Sequence, residues 1–251
     1  MKKIMTVLMY LVLMTVSASA QNGIVVFQTD FGSKDGAVSA MKGVASSVNP
    51  NLKLYDLTQE IPAYNIWEAA YQNGLKRVVY ASSIHAVGMH PITETLDADS
   101  RHRPDTFYGL AKCFAEDLGS MYWDKRGLES VHMRILSCAQ VTSARALGTW
   151  LSYDDLIQLT KRCIDTPVTG FTVVYGVSNN DRAAVDNSKA SFIGFRPKDN
   201  AEQFAEKILA ETDVLDSQDP GHMCHGGPFA KVDLGESGLA TMTIIDDKKV
   251  I

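Results

Sequence analysis

The chain carries only four cysteines in 251 residues, and Cys113, Cys138, Cys163 and Cys224 include no C-x-x-C pair. That absence removes the thioredoxin-like redox motif and the zinc sites built on paired cysteines. Four cysteines allow three disulfide pairings, and their positions do not choose among them. His222-x-Cys224-His225 has the right residue types for a metal but no second half, so no metal site is expected. A basic run is also missing: Lys+Arg 24 against Asp+Glu 29 leaves a net charge of −5. Nucleic acid is therefore excluded as a bulk electrostatic partner. The N-terminal apolar run, residues 4–16, falls short of a membrane span. Flanked by Lys2 and Lys3 and by Ala18-Ser19-Ala20, it predicts a secretory signal peptide over residues 1–20. The mature chain would start near Gln21 in an exported compartment.

What is present is a soluble, globular composition, 45% hydrophobic and 21% charged, enough for a full core. Residues 24–27 read as a short buried strand, residues 37–48 as a helix with one small and apolar face, and residues 52–57 as a second strand. Asn49-Pro50-Asn51 stops the helix. Together these make a βαβ unit and an α/β fold. Further along stands Tyr108-Gly109-Leu110-Ala111-Lys112. Four residues apart on a helix, Tyr108 and Lys112 share a face. An ammonium beside a phenol favours the phenolate, which can take a proton from a substrate hydroxyl while a hydride leaves. Alone, the same spacing also describes an ordinary helix surface.

Two resemblances divide the chain. Thr29-Asp30-Phe31-Gly32, Met41-Lys42-Gly43-Val44, Asn49-Pro50 and Asp56-Leu57-Thr58-Gln59-Glu60-Ile61-Pro62 are similar to the start of the S-adenosylmethionine hydrolase (SAM hydroxide adenosyltransferase) family. The likeness runs to about Tyr71 and implies that Asp30 contacts a nucleoside. From about Asn65 a second likeness takes over. A hydroxyl-bearing strand end, Tyr80-Ala81-Ser82-Ser83, is followed some twenty-five residues later by Pro104-Asp105-x-x-Tyr108-x-x-x-Lys112. This resembles the extended short-chain dehydrogenases (the NAD-dependent epimerase/dehydratase family), and most closely uronate dehydrogenase. Arg134-Ile135-x-Ser137-Cys138, Thr149-Trp150-Leu151-Ser152, Val174-Tyr175-Gly176, Asp186-Asn187-Ser188, Gly194-Phe195-x-Pro197 and Gly226-Gly227-x-Phe229 continue it in order. The whole reads as a chimera: residues 1–20 a signal peptide, 21–71 a hydrolase-like βαβ segment, 72–234 a dehydrogenase-like catalytic and substrate part, and 235–251 an unassigned tail.

The second resemblance implies roles. Tyr108 would be the general base, tuned by Lys112, which would also hydrogen-bond the nicotinamide ribose. Ser83 would orient the sugar hydroxyl, His85 would contact the sugar, and Ser137 would lie beside the substrate at a strand end. Arg145 would hold a carboxylate with its guanidinium fork, and Ile135 would line the nicotinamide pocket. The reaction implied is oxidation of a uronic acid at its anomeric carbon, with NAD as acceptor, giving an aldarolactone. Plainer readings stand beside these. Ser82 and Ser83 could cap the strand exit, Arg145 could lie on the surface, and His85 and His90 could be structural. His102 reads as solvated, and Asp154-Asp155 as a helix cap. Ile84 stands where the family has Asn, which removes one polar sugar contact.

The cofactor end is incomplete. Extended dehydrogenases open with a G-x-x-G-x-x-G turn that brings backbone close to a pyrophosphate. Here residues 29–36 hold only Gly32 and Gly36, with Asp30 and Asp35 adding charge of the wrong sign. Asp56 ends the second strand, where an NAD-ribose acid belongs, and the hydrolase likeness accounts for it equally. Fewer than ten residues separate Leu57 from Ile66, too few for a strand plus a crossover of about a dozen. The expected fold is thus a truncated Rossmann-like parallel sheet with helices on both faces, its first strand paired to residues 78–81 or left across a gap. Besides an NAD-dependent uronate oxidoreductase, the residues leave open a SAM hydrolase-like protein releasing adenosine, and an exported sugar-acid binder without a cofactor. The partner is a small-molecule uronic acid, and the oligomeric state is open. Export sits at odds with the cytosolic NAD pool of the dehydrogenase likeness.

Overall fold

The computed structural model describes residues 24–28, 39, 42–43, 46–47, 50–51, 53–58, 64–212 and 218–234. The expected signal peptide at 1–20, the loop at 29–36 with Asp30, and the tail at 235–251 lie outside the described residues. The chain divides into two compact units, Met1–Glu60 and Ile61–Ile251. In the first, strands β1 (Ile24–Gln28) and β2 (Lys53–Thr58) pair in parallel, with Phe27 opposite Asp56. Residues 39, 42, 43, 46 and 47 between them are helical. That is the expected βαβ unit.

The second unit is built on a parallel sheet of three strands in the order β3-β4-β5: β3 (Arg77–Ser83), β4 (Glu129–Ile135) and β5 (Phe171–Gly176). β3 pairs in parallel with β4 from Arg77–Glu129 to Ser83–Ile135, and β4 with β5 on its other side. The sheet is Rossmann-like but truncated, as the short link predicts. Side chains alternate along β4, as a two-residue period requires. Val131 and Met133 pack with Leu159 and Cys163 of α3 (Tyr153–Asp165), joined by Val174, Ile193 and Phe195. On the opposite face Trp67 and Ala70 of α1 (Tyr64–Gln72) pack with Ala115 and Leu118 of α2 (Phe107–Arg126). Helices thus cover both faces, and six of the seven β4 residues are buried, the pattern of a central parallel strand.

Local chemistry sets the helix ends. Thr106 Oγ1 accepts from Gly109 N at 3.1 Å and starts α2. Gly127, at φ +66°, closes it in the left-handed region that glycine enters without strain. α3 starts at Ser152, whose Oγ accepts from Asp155 N at 3.1 Å. This corrects the reading of Asp154-Asp155 as the cap. Asp155 is buried and its carboxylate accepts from Ser178 Oγ, Lys198 N and Asp199 N, tying a distant loop to the helix. All four cysteines are free thiols; burial pushes Cys113 and Cys163 up to about 12. Among the described residues no helix is long and apolar enough to cross a membrane.

His132 is the titratable group most deeply set in this core. Fully buried, it stacks on Trp67 with ring centroids 5.8 Å apart, and Nδ1 finds no hydrogen-bond partner. Burial penalises the imidazolium and brings its pKa down to about 4. The unfolded chain then binds more protons than the folded one between about pH 6.5 and 4. Its contribution is fully present above that window and falls by about 3 kcal/mol as the pH drops through it. Denaturant titrations across this range should show His132→Leu with a flatter pH dependence than the parent chain, whatever its absolute stability. An unchanged slope would sink this account.

Candidate functional site

The carboxyl ends of β3 and β4 carry the site, where ligands collect in α/β sheets. Ser83 lies opposite Ile135, and Ile135 opposite Gly176, so three strand ends come into line. Ser83 Oγ accepts from His85 N at 3.3 Å, capping the short 3-10 turn Ile84–Val87. The strand-exit cap is therefore observed, on the same residue that the resemblance makes a site residue. Ile84 is buried at 1% exposure among Val87, Leu96 and Tyr175, so its side chain serves the core rather than the site.

The first turn of α2 docks directly on this strand end. A Cβ at Gly109 would fall 2.2 Å from the His85 carbonyl oxygen, so only glycine lets the helix approach so closely. That approach sets Tyr108 edge-on to His85, ring centroids 5.7 Å apart. Lys112, one turn on, is 1% exposed; its Nζ lies 5.0 Å from the Tyr108 ring centroid and 3.5 Å from Tyr80 Oη. An ordinary helix surface does not bury a lysine this way. Nothing in the sequence pattern singled out Tyr80, which comes from the strand beneath.

His85 is held on three sides. Nδ1 meets Asp105 Oδ2 at 2.6 Å, and the ring stacks on Phe229 at 3.9 Å as well as meeting Tyr108. Phe229 arrives on a C-terminal segment clamped to the site loop: His225 N donates to His90 O, Gly226 N to Gly88 O, and Arg145 Nη2 to His225 O at 2.7 Å. Arg145 is thus no surface residue. Burial lowers its pKa against the opposing charge of Asp105, and its Nε is buried with no hydrogen-bond partner. A buried guanidinium with an idle donor is suited to an anionic ligand group. Ser137, half-buried, lies opposite Trp150, its N donating to Thr149 O and its carbonyl accepting from Leu151 N.

The structure therefore brings Ser83, His85, Tyr108, Lys112 and Ile135 together, with Arg145 joined through the segment that carries Phe229. Ser137 follows β4 by two residues. Asp56 is placed by backbone register alone, its side chain being outside the described residues, as is Asp30. His90 bonds Glu94 and the Arg101 carbonyl, and His225 the Glu94 carbonyl. Among the described residues no group of three His, Cys, Asp or Glu is arranged to hold a metal.

Beneath the cluster lies a buried ion pair that sequence reasoning missed. Glu116, one helical turn past Lys112, accepts from Arg134 Nη2 at 2.7 Å, Ser82 Oγ at 2.5 Å and His102 Nε2 at 2.9 Å. Arg134 continues to Tyr175 Oη at 3.0 Å. Burial alone would raise the Glu116 carboxyl, but the His102 and Arg134 hydrogen bonds outweigh it and hold it well below the carboxylate range. The same contact raises His102. This corrects the reading of His102 as merely solvated. The one available signal was helical spacing, since positions 108, 112 and 116 fall on one face.

Three comparisons bear on this geometry. Residues 25–98 match a family model, the SAM hydroxide adenosyltransferase N-terminal domain. The uronate dehydrogenase of Pseudomonas putida is 43% identical over 168 residues, which are 66% of this chain and 62% of that protein. A solved glucuronic acid dehydrogenase from Chromohalobacter salexigens is 42% identical at a TM-score of 0.66, covering 68% of this chain and 65% of that one. Uronate dehydrogenase from Agrobacterium tumefaciens, solved as a tyrosine-to-alanine mutant complexed with NAD, superposes at a TM-score of 0.74 with 30% identity, covering 85% of this chain and all of that one. The chain thus spans under two thirds of the length of the Pseudomonas relative.

The ion pair makes a measurable claim. Glu116→Gln should destabilise the protein by about 3–5 kcal/mol in denaturant unfolding, because it strands a buried guanidinium. The double change Glu116→Leu with Arg134→Met should cost clearly less than that single change. Equal losses would show that the pair is not the controlling contact.

Proposed function

The chain belongs to the uronate dehydrogenase family, and on that premise we propose that it oxidises a uronic acid at the anomeric carbon, with NAD as hydride acceptor, to an aldarolactone. The observation that carries this reading is the buried Lys112 set against Tyr108 beside His85 and Ser83. Tyr108 takes the proton from the anomeric hydroxyl as general base. Lys112 keeps a positive charge beside that phenol and offers donors to the nicotinamide ribose. Ser83 and His85 hold sugar hydroxyls, and the idle Nε of Arg145 supports a carboxylate partner. Ile135, half-buried next to Ser83, offers an apolar wall for a flat ring.

The described residues fit the nicotinamide end of a dinucleotide through Lys112 and Ile135. NAD, when bound, supplies a hydride acceptor. For the pyrophosphate the chain has no G-x-x-G-x-x-G turn, so binding is expected to be weak, and the reading is that of a dehydrogenase short at its cofactor end. The match of residues 25–98 to an adenosyltransferase domain favours one second reading, release of adenosine from S-adenosylmethionine.

Absorbance of NADH formed from galacturonate or glucuronate at millimolar NAD tests the proposal. Tyr108→Phe should lower that rate by about 10²-fold or more, the usual weight of a general base. Arg145→Ala should raise KM for the uronate more than for neutral sugars. A folded chain that binds no NAD by calorimetry overturns the dehydrogenase reading, and adenosine release would put the second reading in its place.

A further inference from the structure

The Asp105 carboxylate is completely enclosed and committed on both oxygens. Its side chain has no exposed surface. Oδ2 lies 2.6 Å from His85 Nδ1, and Oδ1 accepts from Thr106 Oγ1 at 3.0 Å. The Thr106 hydroxyl oxygen already accepts from Gly109 N at the start of α2, so its single proton is free to point at Asp105. Two glycines wall in the carboxylate: a Cβ at either Gly88 or Gly226 would fall 2.0 Å from Oδ2. Those glycines are themselves joined, Gly226 N to Gly88 O at 2.8 Å. The carboxylate cannot rotate away, and no other acceptor competes for the imidazole.

A carboxylate facing Nδ1 accepts a proton from it, which leaves the lone pair of the neutral ring on Nε2. Among the described residues Nε2 of His85 has no hydrogen-bond partner. The ring plane is fixed by Phe229 on its face and Tyr108 at its edge. Resting on the reading of this cluster as a sugar-acid site, we propose that Asp105 is a positioning residue: it locks His85 in the Nδ1–H tautomer, so that Nε2 meets the substrate as an acceptor and selects a sugar hydroxyl there. Asp105 touches no substrate itself. The C-terminal segment joins the same device, because Gly226 must pack on the carboxylate for Phe229 to reach the ring. Recognition at this point therefore depends on three segments far apart in the chain.

Substitution by asparagine reverses the device in a defined way. The Thr106 proton keeps the Asn oxygen at the Oδ1 position, which turns the NH2 group toward Nδ1. Facing a donor, Nδ1 becomes the acceptor and the proton moves to Nε2. Long-range 15N–1H spectra of the labelled protein, assigned through the backbone above the usual histidine titration range, read this directly. The parent chain should show His85 protonated at Nδ1, and Asp105→Asn should show it at Nε2. In the uronate assay the variant should raise KM by about tenfold or more, the scale on which second-layer partners of a ligating histidine act, with kcat much less affected.

A parent chain protonated at Nε2, or a variant that keeps the Nδ1–H form, overturns the proposal. So does an inverted tautomer with unchanged KM. Should the variant fail to fold, the parent spectrum still decides, since it needs no substitution. It needs no turnover either: a parent chain without NADH formation removes the dehydrogenase reading, while the tautomer judges Asp105 alone.

Discussion

Everything at the carboxyl end of the second sheet rests on the Glu116–Arg134 contact. Glu116 belongs to α2 and Arg134 to β4, and Ser82 of β3 shares the same carboxylate. One buried ion pair therefore sets the register of a helix against two strands. The neighbours of these residues are the site: Ser83 follows Ser82, Ile135 follows Arg134, and Lys112 stands one turn before Glu116. Such a pair contributes little net stability over an apolar replacement, yet breaking it leaves a charge stranded. Its worth here is geometric. The opposite face of the sheet, closed by Val131, Met133 and Leu159, tolerates exchange of one hydrophobe for another of like volume; this face does not.

A second constraint is close approach. Gly109 lets α2 touch the His85 carbonyl, and Gly226 lets the C-terminal segment reach Asp105. Both glycines serve by lacking a Cβ, and each lets a remote segment pack against the His85–Asp105 pair. Arg145 Nη2 bonds the carbonyl of His225, eighty positions away, and so holds down the segment bearing Phe229. Site and scaffold share atoms.

The two family likenesses fall on chain segments with different structural completeness. The second unit keeps β3, β4 and β5 with helices on both faces, and within it the Tyr108–Lys112 pair is fully formed. The first supplies one parallel βαβ with no glycine-rich turn. Fewer than ten residues separate Leu57 from Ile66, too few for a further strand plus its crossover. The Tyr108–Lys112 pair is thus complete in a chain that has no G-x-x-G-x-x-G turn.

Much was legible in the residues themselves. Hydrophobic runs and stop signals placed the first two strands within a residue or so of β1 and β2, and the Tyr108–Lys112 spacing put both side chains on one face of α2, because both depend on local periodicity. The readings that failed, His102 as solvated and Asp155 as a cap, concern polar side chains whose partners lie 14 to 44 positions away. A charged residue's sequence neighbours say whether it can face water, not which distant donor waits for it once the chain closes. By itself the sequence determined the α/β class, the truncation and the residue types of the site. Tertiary structure decided which carboxylate meets which base, since a hydrogen bond is fixed by distances of a few ångströms that only packing of remote segments sets.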